Sequence, residues 1–260
     1  VTLTWHNYEN RTYGDGKYVY ATAGNLLEAD VGKVVVELSG NAANASGTFT
    51  AIAERLTGDK AGNYKLPENA TKEYTIGLAA QTLTFAKTGD QSVTYGNTLE
   101  NPATNDRADG SEVTYSSSDP AVATVDANGK VTAKNVGTTT ITATAEAMNG
   151  KYSEATASYE LTVTPKTLAV NDLELTGSLT KAYDGTDSAA SVGAQVKSGV
   201  LVGNDTLTIT GSARYNSKDV KDANTITFTP DAITTGNYRL AADQTPIVTD
   251  GVKITKRVLT

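Results

Sequence analysis

Three tyrosine-centred turns, spaced almost evenly along 260 residues, constrain this chain more than any other feature. They read RTYGDGK at 11–17, VTYGNTL at 93–99 and KAYDGTD at 181–187, so Tyr13, Tyr95 and Tyr183 lie 82 and 88 residues apart. An Asn/Gly/Tyr cluster follows each: GNYKL from Gly62, NGKY from Asn149 and GNYRL from Gly236, starting 49, 54 and 53 residues beyond the turn tyrosine. Self-similarity at a fixed period marks an array of one folding unit rather than a single large core. Next come the alternating segments KEYTIGL, ASYELTVTPKTLAV and VKITKRVLT, the last two alike, as if KITKRVLT opened a fourth unit. A unit of about 85 residues is close to the roughly 100 residues of an Ig-type sandwich.

Within each unit the apolar residues recur every second position. Val34, Val36 and Leu38 share a face of KVVVELS, and Ile141, Ala143 and Ala145 oppose Thr140, Thr142 and Thr144. TLTIT places Leu207 and Ile209 inward, and TITFT does the same with Ile226 and Phe228. Strict alternation of this kind predicts strands with one buried and one wet face. Asn128-Gly129 predicts a two-residue hairpin and Asp119-Pro120 a turn. No apolar stripe keeps a helical period for three turns; GNLLEAD is too short. The passage TIGLAAQTLTF reads as nearly continuous strand between the first two units, and TPKTLAV, with Pro165 and no Gly/Ser run, joins the next two. Short linkers of this composition predict stiff junctions. The expected fold is all-β: three tandem Ig-like β-sandwich modules in an extended arrangement, covering 1–78, 79–164 and 165–260.

Composition narrows the functions. The chain has no Cys, so disulfides and thiolate metal sites are excluded. Its formal charge of −7 gives no basic footprint for nucleic acid. No apolar run reaches the roughly 18 residues of a membrane span, so no membrane insertion is expected. Val1 falls inside an alternating segment, so the sequence reads as a piece of a longer protein, and a missing leader says nothing about export. A cysteine-free, Thr-rich, acidic chain fits a bacterial exterior.

The stretch VTYSSSDPAVATVDANGKVTAKNVGTTTITAT, Val113 to Thr144, resembles the group 2 bacterial Ig-like domain, with its Ser-rich strand, VATVD, GKVTA and a GT before an alternating strand. LTKAYDGTD, SGVLVGND and TTGNYRL resemble the YDG repeat of large bacterial surface proteins. The first unit is similar to the mostly-β bacterial repeats that accompany these, although it reads Tyr13-Gly14-Asp15-Gly16 where the others differ in order. These resemblances imply an extracellular, cell-surface or cell-wall-associated protein and a role as stalk, spacer or adhesin module, with neighbouring repeats of the same polypeptide as the first partners. They transfer no catalytic residue.

Candidate chemistry is thin. His6 is the only imidazole, so neither a His-based triad nor a two-His metal site can be built. There is no G-x-S-x-G elbow. Asp184 with Asp187, and Asp15 with Glu28, are the nearest approach to the paired carboxylates of a glycosidase, but acidic surfaces generate such pairs freely. The expectation is therefore no enzyme and no cofactor. Calcium would take the loop carboxylates Asp184, Asp187 and Asp205, though no D-x-D-x-D-G run occurs and Asp and Gly make turns unaided. A glycan or host surface protein would use exposed aromatics: Tyr8, Tyr13, Tyr18 and Tyr20 crowd the first unit beside Trp5, with Tyr18 and Tyr20 on one strand face. Trp5, Tyr18 and Tyr20 are thus the candidate binding residues, against the alternative of a tyrosine-rich core edge. Lys17, Lys181, Asn63 and Asn237 sit where a Lys–Asn isopeptide would need them, but no partnering acid is identifiable. In the clusters themselves, Gly62 and Gly236 are expected to permit a tight backbone, Asn63 and Asn237 to bond the turn, and Tyr64 and Tyr238 to cover the core edge.

Overall fold

The computed structural model describes residues 1–233, 236–242 and 247–258. Among them every regular element is a strand except three single-turn 3-10 segments, Glu28–Asp30, Ala61–Asn63 and Val170–Asp172. The repeats are Ig-like β-sandwiches, as the period-two pattern requires. The residues gather in two compact units: 1–88 with 102–115 and 142–158, and 89–101 with 116–141 and 159–260.

In the first unit, Thr2–His6 pairs antiparallel with Tyr20–Gly24. The facing sheet runs in the order Arg11–Thr12, Thr71–Gly77, Gly47–Thr57, Val35–Ser39. Val19, Ala51, Tyr74 and Ile76 are buried between them, with Trp5, Tyr8 and Phe49 packed against that core. Val34 is buried and Val36 and Leu38 are half-buried, with Val35 exposed between the first two, and a register shift falls between Glu37 and Leu38. The expected continuous strand from 75 to 85 is also interrupted. Thr71–Gly77 stops, Ala79 forms a lone parallel bridge with Tyr152, and a new strand, Leu83–Phe85, pairs with Ala103–Asn105.

In the second unit, Thr98–Glu100, Lys130–Ala133 and Ala123–Val125 form one sheet. A five-stranded sheet follows the order Leu173–Gly177, Val192–Val196, Ile209–Tyr215, Thr225–Ile233, Ile247–Asp250. Its core holds Leu173, Ile226, Phe228 and Ile254, each at most 3% exposed. Asn128-Gly129 closes a longer hairpin than expected. Asp126 N–H donates to Lys130 O at 3.0 Å, and Gly129 takes φ +75°. That left-handed residue makes a three-residue loop, which Asp126 Oδ1 ties by accepting from the amides of Asn128 and Lys130.

One pairing recurs in every repeat. Arg11–Thr12 lies parallel to Ile76 and Gly77, Gln91–Thr94 to 161–164, and Thr180–Ala182 to Lys253–Thr255. At the end of each ladder the turn tyrosine donates its amide to the last strand: Tyr13 to Gly77 at 2.9 Å, Tyr95 to Thr164 at 2.8 Å, Tyr183 to Thr255 at 2.8 Å. An early strand of each repeat is thus laced to its last, and the tyrosine is delivered to the end of the sandwich where the chain leaves.

Candidate functional site

The tyrosines of the two sequence motifs meet. Tyr95 of the middle repeat stands edge-on to Tyr238 of the C-terminal repeat, ring centroids 5.5 Å apart at 83°. Tyr13 meets Tyr152 in the same way, at 5.4 Å and 89°. Edge-to-face geometry puts the positive ring edge on the negative face of its neighbour, worth about 0.5–1.5 kcal/mol beyond the area buried. Tyr13 and Tyr95 therefore each seal against the late tyrosine of the next repeat.

An aspartate locks each late tyrosine. Tyr238 Oη donates to Asp205 Oδ2 at 2.7 Å and accepts the amide of Val202 at 2.7 Å, while Tyr95 Oη donates to the same Asp205 oxygen at 2.8 Å. Tyr152 Oη donates to Asp109 Oδ1 at 2.7 Å, and Lys151 Nζ reaches Asp109 Oδ2 at 3.0 Å. Tyr64 Oη donates to Asp30 Oδ2 at 2.9 Å and accepts the amide of Leu27 at 3.0 Å. Burial, and then the Asp205 carboxylate, push the Tyr238 hydroxyl up to about 12 and raise that of Tyr95. The Tyr152 hydrogen bond, followed by that of Lys151, lowers the pKa of Asp109. The phenols of Tyr238, Tyr95 and Tyr152, all raised, stay protonated and serve as donors.

The other motif residues behave differently from expectation. Asn237 reaches back to the middle repeat: its Oδ1 accepts the Val136 amide at 2.9 Å and its Nδ2 meets Asn135 Oδ1 at 3.1 Å. Asn63 is exposed. Gly62 has no left-handed φ, and a Cβ on Gly62 or Gly236 would meet open space, so neither glycine is required by its surroundings. Gly96 is the glycine the joint needs. At φ +81° its missing Cβ would lie 2.4 Å from a Val202 methyl carbon.

The turn after each outer early tyrosine is locked by a basic residue two positions before it. Arg11 Nε and one terminal nitrogen grip Asp15 at 2.7 and 3.0 Å, with the side chains only 3% and 13% exposed. Lys181 Nζ holds Asp184 at 2.8 Å, with Thr186 and Ser188 completing its shell. The Arg11 hydrogen bond brings Asp15 down to about 2, and Lys181 with the Thr186 amide and hydroxyl does the same for Asp184.

The residues singled out from sequence disperse. Trp5 packs against the first core instead of standing free. Tyr18 and Tyr20 are 62% and 48% exposed, with buried Val19 between them, and Tyr20 stacks on His6 at 4.5 Å. Tyr20 lies in a strand and Tyr18 just before it. The calcium candidates do not converge: Asp184 pairs with Lys181, Asp187 with Arg214, and Asp205 with two tyrosines. Among the described residues no three His, Asp or Glu side chains are placed to hold a metal. Asp15 and Glu28 sit in separate turns, Asp15 held by Arg11 and Glu28 exposed. Lys17 is exposed, and Lys181 is engaged with Asp184 rather than Asn237. Among the described residues no helix is long and apolar enough to cross a membrane.

Residues 79–157 match the family of bacterial Ig-like domains, group 2, and residues 164–246 match the YDG domain. The chain carries a bacterial group 2 Ig-like domain followed by a YDG domain. The joint between Tyr95 and Tyr238 thus connects a residue of the Ig-like domain with one of the YDG domain. Among curated proteins none matches the chain. Similar solved structures include the C-terminal 282-residue fragment of intimin in complex with the intimin-binding domain of its translocated receptor, at 17% identity and TM-score 0.26, covering 66% of this chain and 69% of that one. Domains 1–6 of the surface layer protein SbsC align at 16% identity and TM-score 0.29, covering 99% of this chain, which spans 41% of that one. Mouse cadherin-23 EC22–24 aligns at 13% identity and TM-score 0.31, covering 92% and 99%. Likenesses this distant carry nothing about function.

Proposed function

We propose that this chain is a non-catalytic structural segment, a spacer or stalk, of a bacterial cell-surface or secreted multidomain protein. The parallel lacing of an early strand to the last strand in all three repeats carries the reading. Tension applied through the two ends of such a repeat loads those ladder hydrogen bonds side by side, in shear, so several must break together. An unzipping geometry would break them one at a time. The tyrosine seals add lateral support where one repeat follows another, and the three segments 1–78, 79–164 and 165–260 are the proposed mechanical units.

Single-molecule pulling tests this. Three unfolding events are expected, each releasing roughly 280–300 Å at the ~3.3–3.6 Å per residue of an extended chain, less the folded length. Val93→Pro removes a ladder donor and should lower the force of one event only. Forces no higher than those of an unzipped hairpin, or a Val93→Pro chain pulling like the parent, would contradict the proposal.

Exposed Tyr18 and Tyr20 favour a second reading, an adhesin module for glycan or host protein. It predicts retention on glycan or mucin arrays that Tyr18→Ala with Tyr20→Ala abolishes while the melting temperature holds. The spacer reading predicts no retention.

A further inference from the structure

The chain contains Asn-Gly twice, at Asn128-Gly129 and Asn149-Gly150, and both pairs are followed by Lys. We propose that Asn149-Gly150 is a self-modification site, where deamidation to isoaspartate loosens the joint between the first and middle repeats, and that the fold protects Asn128-Gly129 from the same reaction.

The reaction needs no second molecule except water. The Gly150 nitrogen loses its proton to solvent and bonds to Asn149 Cγ. The Cγ–Nδ2 bond breaks, the nitrogen leaves as ammonia, and a succinimide ring closes. Water then opens the ring. Attack at the main-chain carbonyl carbon of residue 149 leaves the chain running through the side chain as isoaspartate, one carbon longer, whereas attack at Cγ gives aspartate. Glycine favours ring closure because no Cβ shields the attacking nitrogen. Both pairs share that advantage, so what separates them is the freedom of the nitrogen.

At the first pair the nitrogen is tied down. Gly129 is buried, its amide donates to Asp126 O at 3.1 Å, and its carbonyl accepts the Asn101 amide at 3.2 Å. Asp126 Oδ1 holds the amides on either side, Asn128 and Lys130, at 2.9 Å each. Moving Gly129 N onto Asn128 Cγ breaks this set and leaves buried polar groups unpaired. At the second pair Asn149 is exposed and Gly150 half-buried, and among the described residues nothing accepts the Gly150 amide. The Lys151 and Tyr152 amides donate to Met148 O at 3.0 and 3.1 Å, spanning the pair without engaging that nitrogen.

The reactive pair also sits where the repeats meet. Gly150 O accepts the Ser46 amide at 2.8 Å, and a Cβ on Gly150 would touch Ala45 at 3.9 Å. The next two residues, Lys151 and Tyr152, hold Asp109, and Tyr152 meets Tyr13 edge-on. An extra main-chain carbon after residue 149 draws the Gly150 carbonyl away from Ser46 and shifts Tyr152 against Tyr13.

Peptide mapping by mass spectrometry, on the intact chain warmed in mildly alkaline buffer, tests this. In the folded chain Asn149 should convert about 10-fold or more faster than Asn128, and in urea the two rates should converge. In the isoaspartyl form, hydrogen exchange at the Ser46 amide should quicken about 10-fold or more. Asn149→Gln, whose attack would need a six-membered ring, should stay unconverted there and keep its Ser46 protection through the same incubation. Equal conversion of the two sites in the folded chain, faster conversion at Asn128, none at either, or unaltered Ser46 exchange in the isoaspartyl form would overturn the proposal.

Discussion

Replacing Tyr238 separates the packing of the joint from its hydrogen bonds. The ring is 3% exposed, edge-on to Tyr95, and its hydroxyl holds both the Val202 amide and Asp205. Tyr238→Phe keeps the ring and strands a buried amide and a carboxylate contact, a loss of about 1–3 kcal/mol. Tyr238→Ala also removes the ring, and truncating a buried aromatic costs about 3–5 kcal/mol. In a repeat of about 85 residues each kcal/mol moves the melting temperature by roughly 4–8 °C. Calorimetry should therefore show the C-terminal transition falling by roughly 10 °C for Phe and 15 °C or more for Ala, with the N-terminal transition unmoved. Raising the pH adds a second readout. The hydroxyl titrates near 12 when folded and near its ordinary 10 when unfolded. The unfolded chain therefore loses its proton first, and this contribution to stability, complete below about pH 10, is lost as pH rises toward 12. Tyr238→Phe should abolish that alkaline step. An unchanged melting point in both variants would refute the reasoning and return the motif to the binding candidates.

Other outcomes follow from the same geometry. Gly96→Ala should destabilise by about 1–3 kcal/mol through its left-handed φ and the Val202 clash, and Val202→Ala should recover part of that loss in chemical denaturation. Asp15, at about 2 when folded against an ordinary value near 4, should add stability that is full above about pH 4 and lost as pH falls toward 2; acid titration of Asp15→Asn should lack that step. Tyr18→Ala with Tyr20→Ala should leave urea unfolding within about 0.5 kcal/mol of the parent, both rings being exposed.

Much of this was legible in sequence, because the physics that sets it is local. Ile141, Ala143 and Ala145 are buried and their threonine neighbours less so, as a period of two demands. The recurrence of tyrosine at a fixed spacing was equally plain. What the tyrosines do was not. Their aspartates lie 34, 43 and 33 residues away, in turns of different sequence, so no shared spacing announces Asp30, Asp109 and Asp205. Asn237 reads as a turn former because local partners are the default for Asn, and its side-chain bonds to Val136 and Asn135, 101 and 102 residues back, have no sequence signal. Trp5, a binding candidate by residue type, is partly buried against the first core, whose residues lie mostly in a sheet distant in sequence. The longer hairpin at Gly129 follows from Asp126, whose side chain captures two amides, a preference that the Asn-Gly pair masked.

A double-mutant cycle at Asp205 tests most directly whether the paired tyrosines are joints between repeats. Tyr95→Phe, Tyr238→Phe and the double variant are compared by equilibrium unfolding. Because both hydroxyls share one carboxylate oxygen and the rings touch, the two losses should fail to add, with a coupling of about 0.5–3 kcal/mol. Losses that add to within error would mean the two repeats do not meet through these residues, and would contradict the account.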